Sequence, residues 1–170
     1  MLKTIKKWLN HEQTSKKEKV ISGAVALIYV TLMGSYGQDS VHNPFYDSLV
    51  KPGLQPPDWV FGVVWPILFV LLGMAAYYAW NYYTVEWKRK IFTILYLLNG
   101  LLMMTWSDQF FVKGSLTNGL YAMIGLVVIV EMMIIAAFYT NKKSGYLLLP
   151  YLLWILFAAY LNVSYVVLNS

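Results

Sequence analysis

The chain has 170 residues, of which 59% are hydrophobic and only 12% are charged, and its formal net charge is +5. Soluble domains are roughly half apolar and a quarter charged, so this composition predicts a protein embedded in a lipid bilayer. With no cysteine and only His11 and His42 as histidines, the sequence excludes disulfides, thiolate catalysis and Cys-rich or His-rich metal sites. We therefore predict no metal site, and because the sequence contains no cofactor motif we predict no cofactor.

The first 19 residues form a polar, basic arm ahead of the first apolar segment. It looks superficially like the start of a signal peptide, but the apolar run that follows is too long and lacks a small-residue cleavage site. Leu2, Ile5, Trp8 and Leu9 lie among lysines, which suits a short interfacial helix on anionic lipid. A topogenic tail without fixed structure explains the arm as well, and the sequence leaves both readings open.

Five continuous apolar segments follow the arm, at residues 20–37, 59–82, 91–112, 119–140 and 146–168. Each is close to the ~20 residues that a membrane-spanning helix needs. The segments are uninterrupted rather than alternating, which disfavours a membrane β-barrel. The sequence thus predicts an all-α fold, an integral membrane bundle of five transmembrane helices that forms one domain over residues 20–168.

The basic residues predict how the bundle is oriented. One side of the predicted membrane carries Lys3, Lys6, Lys7, Lys16, Lys17, Lys19, Lys88, Arg89, Lys90, Lys142 and Lys143, and the other carries only Lys51 and Lys113. Cytoplasmic loops are enriched in Lys and Arg, so we expect a cytoplasmic N-terminus and a C-terminus outside. The positive charge is therefore interpreted as membrane topology, and no nucleic-acid partner is predicted.

The connection between the first two spans, residues 45–59, is longer than a simple join requires and contains Pro52, Pro56 and Pro57. Proline is tolerated in the first turn of a helix, so Pro56-Pro57-Asp58 predicts the start of the second span. The charge distribution places this loop outside the cytoplasm, with Asp39, Asp47 and Asp58 against Lys51. We predict a structured lid over one end of the bundle.

Three spans carry aromatic stripes at helical spacing. The stripes contain Phe61, Trp65, Leu68, Phe69 and Leu72 in the second span, Asn99, Met103, Trp106 and Phe110 in the third, and Pro150, Trp154, Phe157, Ala158, Leu161, Asn162 and Tyr165 in the fifth. Ordinary helix packing is the alternative explanation. A shared aromatic cavity beneath the loop would suit a large, flat, lipophilic ligand held by stacking and a few polar groups.

Two acidic residues lie within the predicted spans. Glu131 sits well inside the fourth span, where a charged carboxylate is expensive, and is either functional or a polar contact at a subunit interface. Asp108, near the outer end of the third span, is a candidate ligand contact or loop anchor. Neither belongs to a general acid–base pair, a nucleophile triad or a phosphate-binding glycine loop, and the chain contains none.

At the level of motifs the chain resembles the translocator protein family, whose bacterial members are the tryptophan-rich sensory proteins (TspO/MBR). The first motif reads Phe45-Tyr46-x-x-Leu49-x-Lys51-Pro52-x-x-x-Pro56-Pro57-x-x-x-Phe61-x-x-x-Trp65-x-x-Leu68-Phe69, followed by Gly73. The others read Pro150-Tyr151-x-x-Trp154-x-x-Phe157-Ala158-Ala159-x-Leu161-Asn162 and Trp106-Ser107-x-x-Phe110-Phe111. The resemblance extends over all five spans.

The resemblance implies a five-helix bundle, commonly a homodimer, in a bacterial cytoplasmic or mitochondrial outer membrane. It also implies porphyrin or haem-type tetrapyrrole binding in a pocket closed by the first loop. Ligand-binding positions carried over by motif are Tyr46, Pro56, Phe61, Trp65, Phe69, Trp106, Phe110, Trp154, Ala158 and Leu161; Asp108 is added from its depth alone. A tryptophan-dependent porphyrin breakdown is attributed to the family, and Trp65 and Trp154 match its positions.

The chain departs from the family pattern at several positions. Leu54 stands where the family usually has tryptophan, and Met103 stands where it has asparagine. An acid common early in the fourth span is missing near Ala122, and no basic residue follows Tyr165 as the cholesterol-type pattern would require. These departures bear on ligand preference more than on the fold.

The leading functional prediction is a membrane receptor or carrier for porphyrins, other tetrapyrroles and similar flat lipophiles. A tryptophan-dependent porphyrin-degrading enzyme is the first alternative. A structural or regulatory membrane protein without a small-molecule ligand is the second. Residues alone do not separate the three.

Overall fold

The computed structural model describes residues 14–36, 43–81 and 86–170, and those residues form helices and no strands. The helices are α1 (Lys16–Tyr36), α2 (Pro44–Ser48), α3 (Asp58–Asn81), α4 (Glu86–Ser107), α5 (Leu116–Thr140) and α6 (Lys142–Asn169), with a π-helical turn (Asp108–Val112) that continues α4. Five of them are long and apolar enough to cross a membrane. The predicted all-α membrane bundle is confirmed. The arm before residue 14, including His11, and residues 37–42, including Asp39 and His42, lie outside the described residues.

The long helices begin in the polar residues that flank the apolar segments, so most start a few positions earlier than the predicted spans. At α1 the Ser15 backbone N–H donates to Glu18 Oε2 (2.7 Å) and the Glu18 N–H donates to Ser15 Oγ (3.2 Å). This reciprocal arrangement is a capping box, which satisfies backbone donors that an isolated helix start leaves open. Asn141 caps α6 in a similar way by accepting from the Lys143 N–H (2.8 Å). Helix α3 begins directly after Pro57, as the proline pair predicts.

Around the bundle the long helices follow the order α1–α3–α6–α5–α4, and α4 closes the ring against α1. Small residues on α3 allow close packing, because Ala75, Ala76 and Ala79 are fully buried. The Ser144 hydroxyl on α6 donates to the backbone carbonyl of Ala75 (2.8 Å). Two helices thereby approach closely through small side chains and one interhelical hydrogen bond, as is common in membrane proteins.

A buried polar network joins α1, α4 and α6 near the middle of the bundle. The Tyr29 hydroxyl donates to the Tyr96 carbonyl (2.8 Å), and Asn99 links Tyr29 (Nδ2 to Oη, 3.4 Å) to Tyr151, whose hydroxyl donates to Asn99 Oδ1 (2.9 Å). Gly100 makes room for this contact, because a Cβ there would lie 2.3 Å from the Tyr29 hydroxyl. The network sets how the three helices are placed relative to one another.

Candidate functional site: an aromatic cluster beneath a tied loop

The loop between α1 and α3 contains a helix that the sequence analysis missed. Helix α2 (Pro44–Ser48) begins after Asn43, whose Oδ1 accepts from the Phe45 N–H (2.9 Å), and it has proline in its first turn. Asparagine followed by proline is a helix-start signal, and it was available in the sequence. The chain then turns at Pro52, where the Gln55 N–H donates to the Pro52 carbonyl (2.9 Å), before α3 begins.

Two asparagine side chains tie this loop to the ends of α4 and α6. Asn43 Nδ2 donates to the Phe111 carbonyl. Asn169 Oδ1 accepts from the Val50 N–H (2.8 Å), and its Nδ2 donates to the Val50 carbonyl (3.2 Å). Satisfying both backbone groups of one loop residue holds that residue in a single orientation. The loop is therefore a structured element, which agrees with the lid that the prolines predict.

Tyr46 is the central residue of the loop. Its hydroxyl accepts from Gln55 Nε2 (2.7 Å) and from the Tyr165 hydroxyl of α6 (3.2 Å). The Lys51 ammonium lies 3.2 Å from the centre of the Tyr46 ring, a cation–π contact, and donates to the Tyr46 carbonyl (3.1 Å). Burial raises the pKa of the Tyr46 phenol, which the hydrogen bond from Tyr165 partly offsets. Burial also lowers the pKa of Lys51, against the opposing effect of Asp58.

We expect Asn169→Ala to release the loop without unfolding the bundle. The substitution removes both hydrogen bonds to Val50, at about 1 kcal/mol each, while the ring contacts of the long helices remain. Limited proteolysis of the protein in nanodiscs should cut residues 48–55 at least several times faster in the variant. Asn141→Ala, which removes a cap at the opposite end of the bundle, is the matched control. Equal cleavage of the variant and the wild type would contradict the tie.

The aromatic stripes of α3, α4 and α6 meet beneath the loop. Trp65 occupies the centre, with ring centroids 5.5 Å from Phe69, 6.4 Å from Trp106 and 6.2 Å from Trp154, the last in edge-to-face geometry. Phe61 packs edge-on against Trp154 (5.6 Å). We call these five rings the aromatic cluster. The cluster joins three helices through the offset and edge-to-face arrangements that aromatic pairs favour.

The cluster continues to the loop through Phe110. The Phe110 ring lies 5.9 Å from Trp106, 5.5 Å from Tyr165 and 6.4 Å from Tyr46. The π-helical turn makes this possible, because it inserts an extra residue into the helical repeat and rotates the side chains that follow it. A continuous path of rings thus leads from Tyr46 in the loop to Trp154 in the membrane.

The two indole N–H groups at the sides of the cluster differ in their partners. Trp106 Nε1 donates to Asn162 Oδ1 (3.0 Å), and Asn162 Nδ2 donates to the Leu116 carbonyl (3.2 Å). Asn162, a polar residue at depth in α6, thus finds partners across helix interfaces. In contrast, Trp154 Nε1 is buried and has no hydrogen-bond partner among the described residues. A buried donor without a partner costs about 1–3 kcal/mol, so this atom is a candidate for contact with a ligand.

The structure brings together most of the residues predicted for the site. Tyr46, Phe61, Trp65, Phe69, Trp106, Phe110 and Trp154 belong to one ring-contact network, and Ala158 and Leu161 are buried on the same helix as Trp154. Pro56 is half-buried in the loop. The Asp108 carboxylate pairs with Lys113 (2.8 Å) and accepts from Gln109 Nε2 (3.1 Å) within its own segment. The anchoring of the loop by Asn43 and Asn169 was not foreseen.

The structure shows where the two residues that depart from the family pattern, Leu54 and Met103, are placed. The Leu54 side chain is 65% exposed on the loop, so it points away from the ring contacts. Met103 is buried in the core beside the cluster. Asn99, one turn earlier, is occupied by the Tyr29–Tyr151 network and does not supply the missing asparagine to the rings.

A separate cavity of about 490 Å³ lies at the opposite end of the bundle. Its wall includes Trp80, Asn81, Arg89 and Ile94, far along α3 and α4 from the aromatic cluster. Asn81 is satisfied there, because it accepts from Thr14 Oγ1 (2.9 Å) and donates to Ser22 Oγ (2.5 Å) and the Tyr77 carbonyl (2.8 Å). Beneath the loop, in contrast to this cavity, the rings of the aromatic cluster pack against one another.

Fold and site together define a multi-pass helical membrane protein with a cluster of tryptophan and phenylalanine rings beneath a structured loop. The chain belongs to the TspO/MBR family, whose model matches residues 22–168. It is 34% identical over 128 residues to the tryptophan-rich protein TspO of Chlorobaculum tepidum, covering 74% of this chain and 79% of the relative. A TspO of Archaeoglobus fulgidus is 32% identical, covering 89% and 97%. The human translocator protein is 29% identical, covering 69% and 70%.

Proposed function

We propose that this protein is a membrane receptor or carrier for a flat lipophilic ligand of the porphyrin or tetrapyrrole type, bound among the rings of the aromatic cluster. The observation that carries the proposal is the buried N–H of Trp154, which lacks a partner among the described residues. A ligand with a carbonyl or carboxylate oxygen would satisfy this donor. The surrounding rings would stack on the ligand's flat faces.

Ligand entry in this proposal requires the rings to move apart. Trp65, Trp106 and Trp154 are each only half-buried, so part of each residue is accessible. The loop above them is held by a few hydrogen bonds and by the ring contacts of Tyr46. The relatives named translocator protein and tryptophan-rich sensory protein support a transport or sensing role for such a site.

Trp154→Phe should weaken the binding of protoporphyrin IX roughly fivefold, because it keeps a ring at this position but removes a hydrogen bond worth about 1 kcal/mol. The measurement is a titration of purified protein in nanodiscs, followed by the shift of the porphyrin Soret band. Trp59→Phe is the matched control, since Trp59 is 69% exposed and no ring contact of the cluster includes it. Equal affinities of Trp154→Phe and the wild type would contradict the proposed role of the indole N–H.

The same titration separates binding from the degradation alternative. An enzyme would produce more than one product molecule per protein in the dark, with Trp65 and Trp154 as the side chains involved. A binding protein would give stoichiometric bleaching that depends on light. A saturable Soret shift without dark turnover is the outcome that our proposal requires.

We further propose that the protein lies in a bacterial cytoplasmic membrane with the loop outside. The basic residues at the starts of α4 and α6 support this orientation, since Arg89, Lys90, Lys142 and Lys143 belong to the ends of the spans far from the loop. The aromatic cluster would then open toward the outer face. Lipophilic ligands would reach it from outside or from the outer leaflet.

A further inference from the structure

The cavity of about 490 Å³ lies between the starts of α1 and α4 and the end of α3. Its volume is within the range of ~300–1,000 Å³ that ligand pockets in proteins occupy. The rings of the aromatic cluster do not line it, so the proposed tetrapyrrole site makes no use of this space. What the cavity binds is therefore a separate question.

Most polar side chains of the cavity wall already have partners. Trp80 Nε1 donates to Thr93 Oγ1 (3.0 Å), and the Thr93 hydroxyl donates in turn to the Arg89 carbonyl (2.8 Å). The two hydroxyl groups on the α1 side of the wall are both hydrogen-bonded to the Asn81 side chain. These bonds fix the shape of the wall and leave its hydroxyl and amide groups with partners.

The Arg89 guanidinium is the exception. In the part of the chain that the structure describes, it has no hydrogen bond and no ion pair: Glu86 pairs with Lys90 (2.9 Å), and Glu18 accepts from the Ser15 N–H (2.7 Å). Arg89 is half-buried in the wall, and a guanidinium group carries five N–H donors. Its planar fork matches the oxygens of a phosphate, which it binds through two parallel hydrogen bonds. A phosphate group therefore fits this wall chemically.

The depth of the cavity indicates a lipid phosphate rather than a soluble one. Arg89 is the fourth residue of α4 and precedes the apolar segment that begins at residue 91, so it lies at the level of the lipid headgroups. Ile94, farther into the membrane on the same wall, is 57% exposed and continues the cavity into apolar surface. A phospholipid has this same order of groups, with a phosphate at the interface and acyl chains below it.

The charge at this end of the bundle favours an anionic lipid. Anionic headgroups are attracted to basic surfaces, and basic pockets between transmembrane helices bind them. Among the described residues, the starts of α1, α4 and α6 carry eight basic side chains and two acidic ones: Lys16, Lys17, Lys19, Lys88, Arg89, Lys90, Lys142 and Lys143 against Glu18 and Glu86.

We propose that this cavity binds an anionic phospholipid, with the phosphate held by the Arg89 guanidinium and an acyl chain against Ile94. The lipid would contact α1 and α4 together, where α4 closes the ring of helices against α1. A ligand that binds only the folded protein stabilises it, so the bound lipid strengthens this closure. The site is distinct from the aromatic cluster and does not depend on tetrapyrrole binding.

Thermal unfolding of the delipidated protein in detergent tests the class of ligand, because a bound ligand raises the midpoint. The three probes are dioleoylphosphatidylglycerol, dioleoylglycerol, which lacks the phosphate, and glycerol 3-phosphate, which lacks the acyl chains. We expect a saturable rise with the phospholipid and no rise with the other two at the same concentration. An equal rise with dioleoylglycerol would overturn the role of the phosphate. An equal rise with glycerol 3-phosphate would overturn the lipid as its source.

The role of Arg89 is tested by repeating the phospholipid titration on variants. Arg89→Ala should weaken the apparent affinity at least roughly tenfold, because it removes charge-assisted hydrogen bonds to the phosphate. Arg89→Lys should restore only part of the loss, since an ammonium group keeps the charge but lacks the planar fork. Lys142→Ala is the matched control, because Lys142 is an exposed cation at the same end that does not line the cavity.

Equal affinities of Arg89→Ala and Lys142→Ala would overturn the proposal, because the lipid would then respond to surface charge rather than to this cavity. Circular dichroism checks that each variant keeps its helices. If Arg89→Ala does not fold, Arg89→Lys against Lys142→Arg makes the same comparison with the charge preserved. Equal affinities of that pair would overturn the bidentate contact.

Discussion

Replacing Trp65 by alanine is expected to weaken the binding of protoporphyrin IX by more than tenfold while the bundle stays folded. The Trp65 ring contacts Phe69, Trp106 and Trp154, so its loss removes the surface that these three rings share. Central aromatic residues of a binding site typically contribute about 2 kcal/mol or more, which corresponds to roughly a thirtyfold change in affinity. The fold should survive because Trp65 is half-buried at the edge of the core.

The Soret titration in nanodiscs measures this effect, with circular dichroism as the check on folding. Trp87→Ala is a suitable control, because Trp87 is 58% exposed at the start of α4, far from the aromatic cluster. If Trp65→Ala and Trp87→Ala bind porphyrin equally well, the ligand does not occupy the aromatic cluster. A variant that lost its helicity would instead place Trp65 in the folding core, and Trp65→Phe would then measure the effect on binding.

The second large effect is expected at Gly100, where alanine should destabilise the bundle by about 1–3 kcal/mol, the usual cost of overpacking. The new Cβ would lie 2.3 Å from the Tyr29 hydroxyl and 2.9 Å from its ring, closer than atoms can approach. Tyr29 would have to move, and its hydrogen bonds to the Tyr96 carbonyl and to Asn99 would break. The contact between α1 and α4 therefore depends on the absence of a side chain at this position.

Thermal unfolding in detergent, followed by circular dichroism, measures the loss as a lower midpoint. Gly62→Ala is the matched control, since a Cβ there meets none of the described atoms within 4 Å and alanine favours helix. In a Tyr29→Ala background Gly100→Ala should cost much less, because the obstructing ring is gone. Equal destabilisation in both backgrounds would assign the effect to something other than Tyr29.

Continuous apolar length predicted the five spans because a membrane-spanning helix needs about 20 predominantly apolar residues in a row, and that requirement is visible residue by residue. The helix starts could also be predicted where local signals exist, as at Pro57 and in the Ser15–Glu18 capping box. The start of α2 was missed, although Asn43 followed by Pro44 is a helix-start signal. A helix of only five residues is too short to show an apolar periodicity, so only its start signal marks it in the sequence.

The residues of the site could be predicted better than the hydrogen-bond partners of their polar atoms. The aromatic stripes of α3, α4 and α6 are periodic, so their shared face was foreseeable. The partners of the polar atoms were not. Trp106 and Trp154 look alike in sequence, yet one indole N–H is bound to Asn162 and the other is left without a partner among the described residues. The homodimer remains a prediction that rests on resemblance, and the tetrapyrrole ligand remains one that rests on resemblance and on the proposed function above.

The sequence by itself determined that this protein is a membrane bundle with aromatic faces on three helices, since composition and periodicity act locally along the chain. Only the tertiary structure decided which of those side chains are free to bind. It placed Asn99 in a network with Tyr29 and Tyr151, tied the loop to Asn169, and left Glu131 exposed on the surface of the bundle. Such outcomes depend on helix rotation and on contacts between residues far apart in sequence, and no local pattern specifies either one.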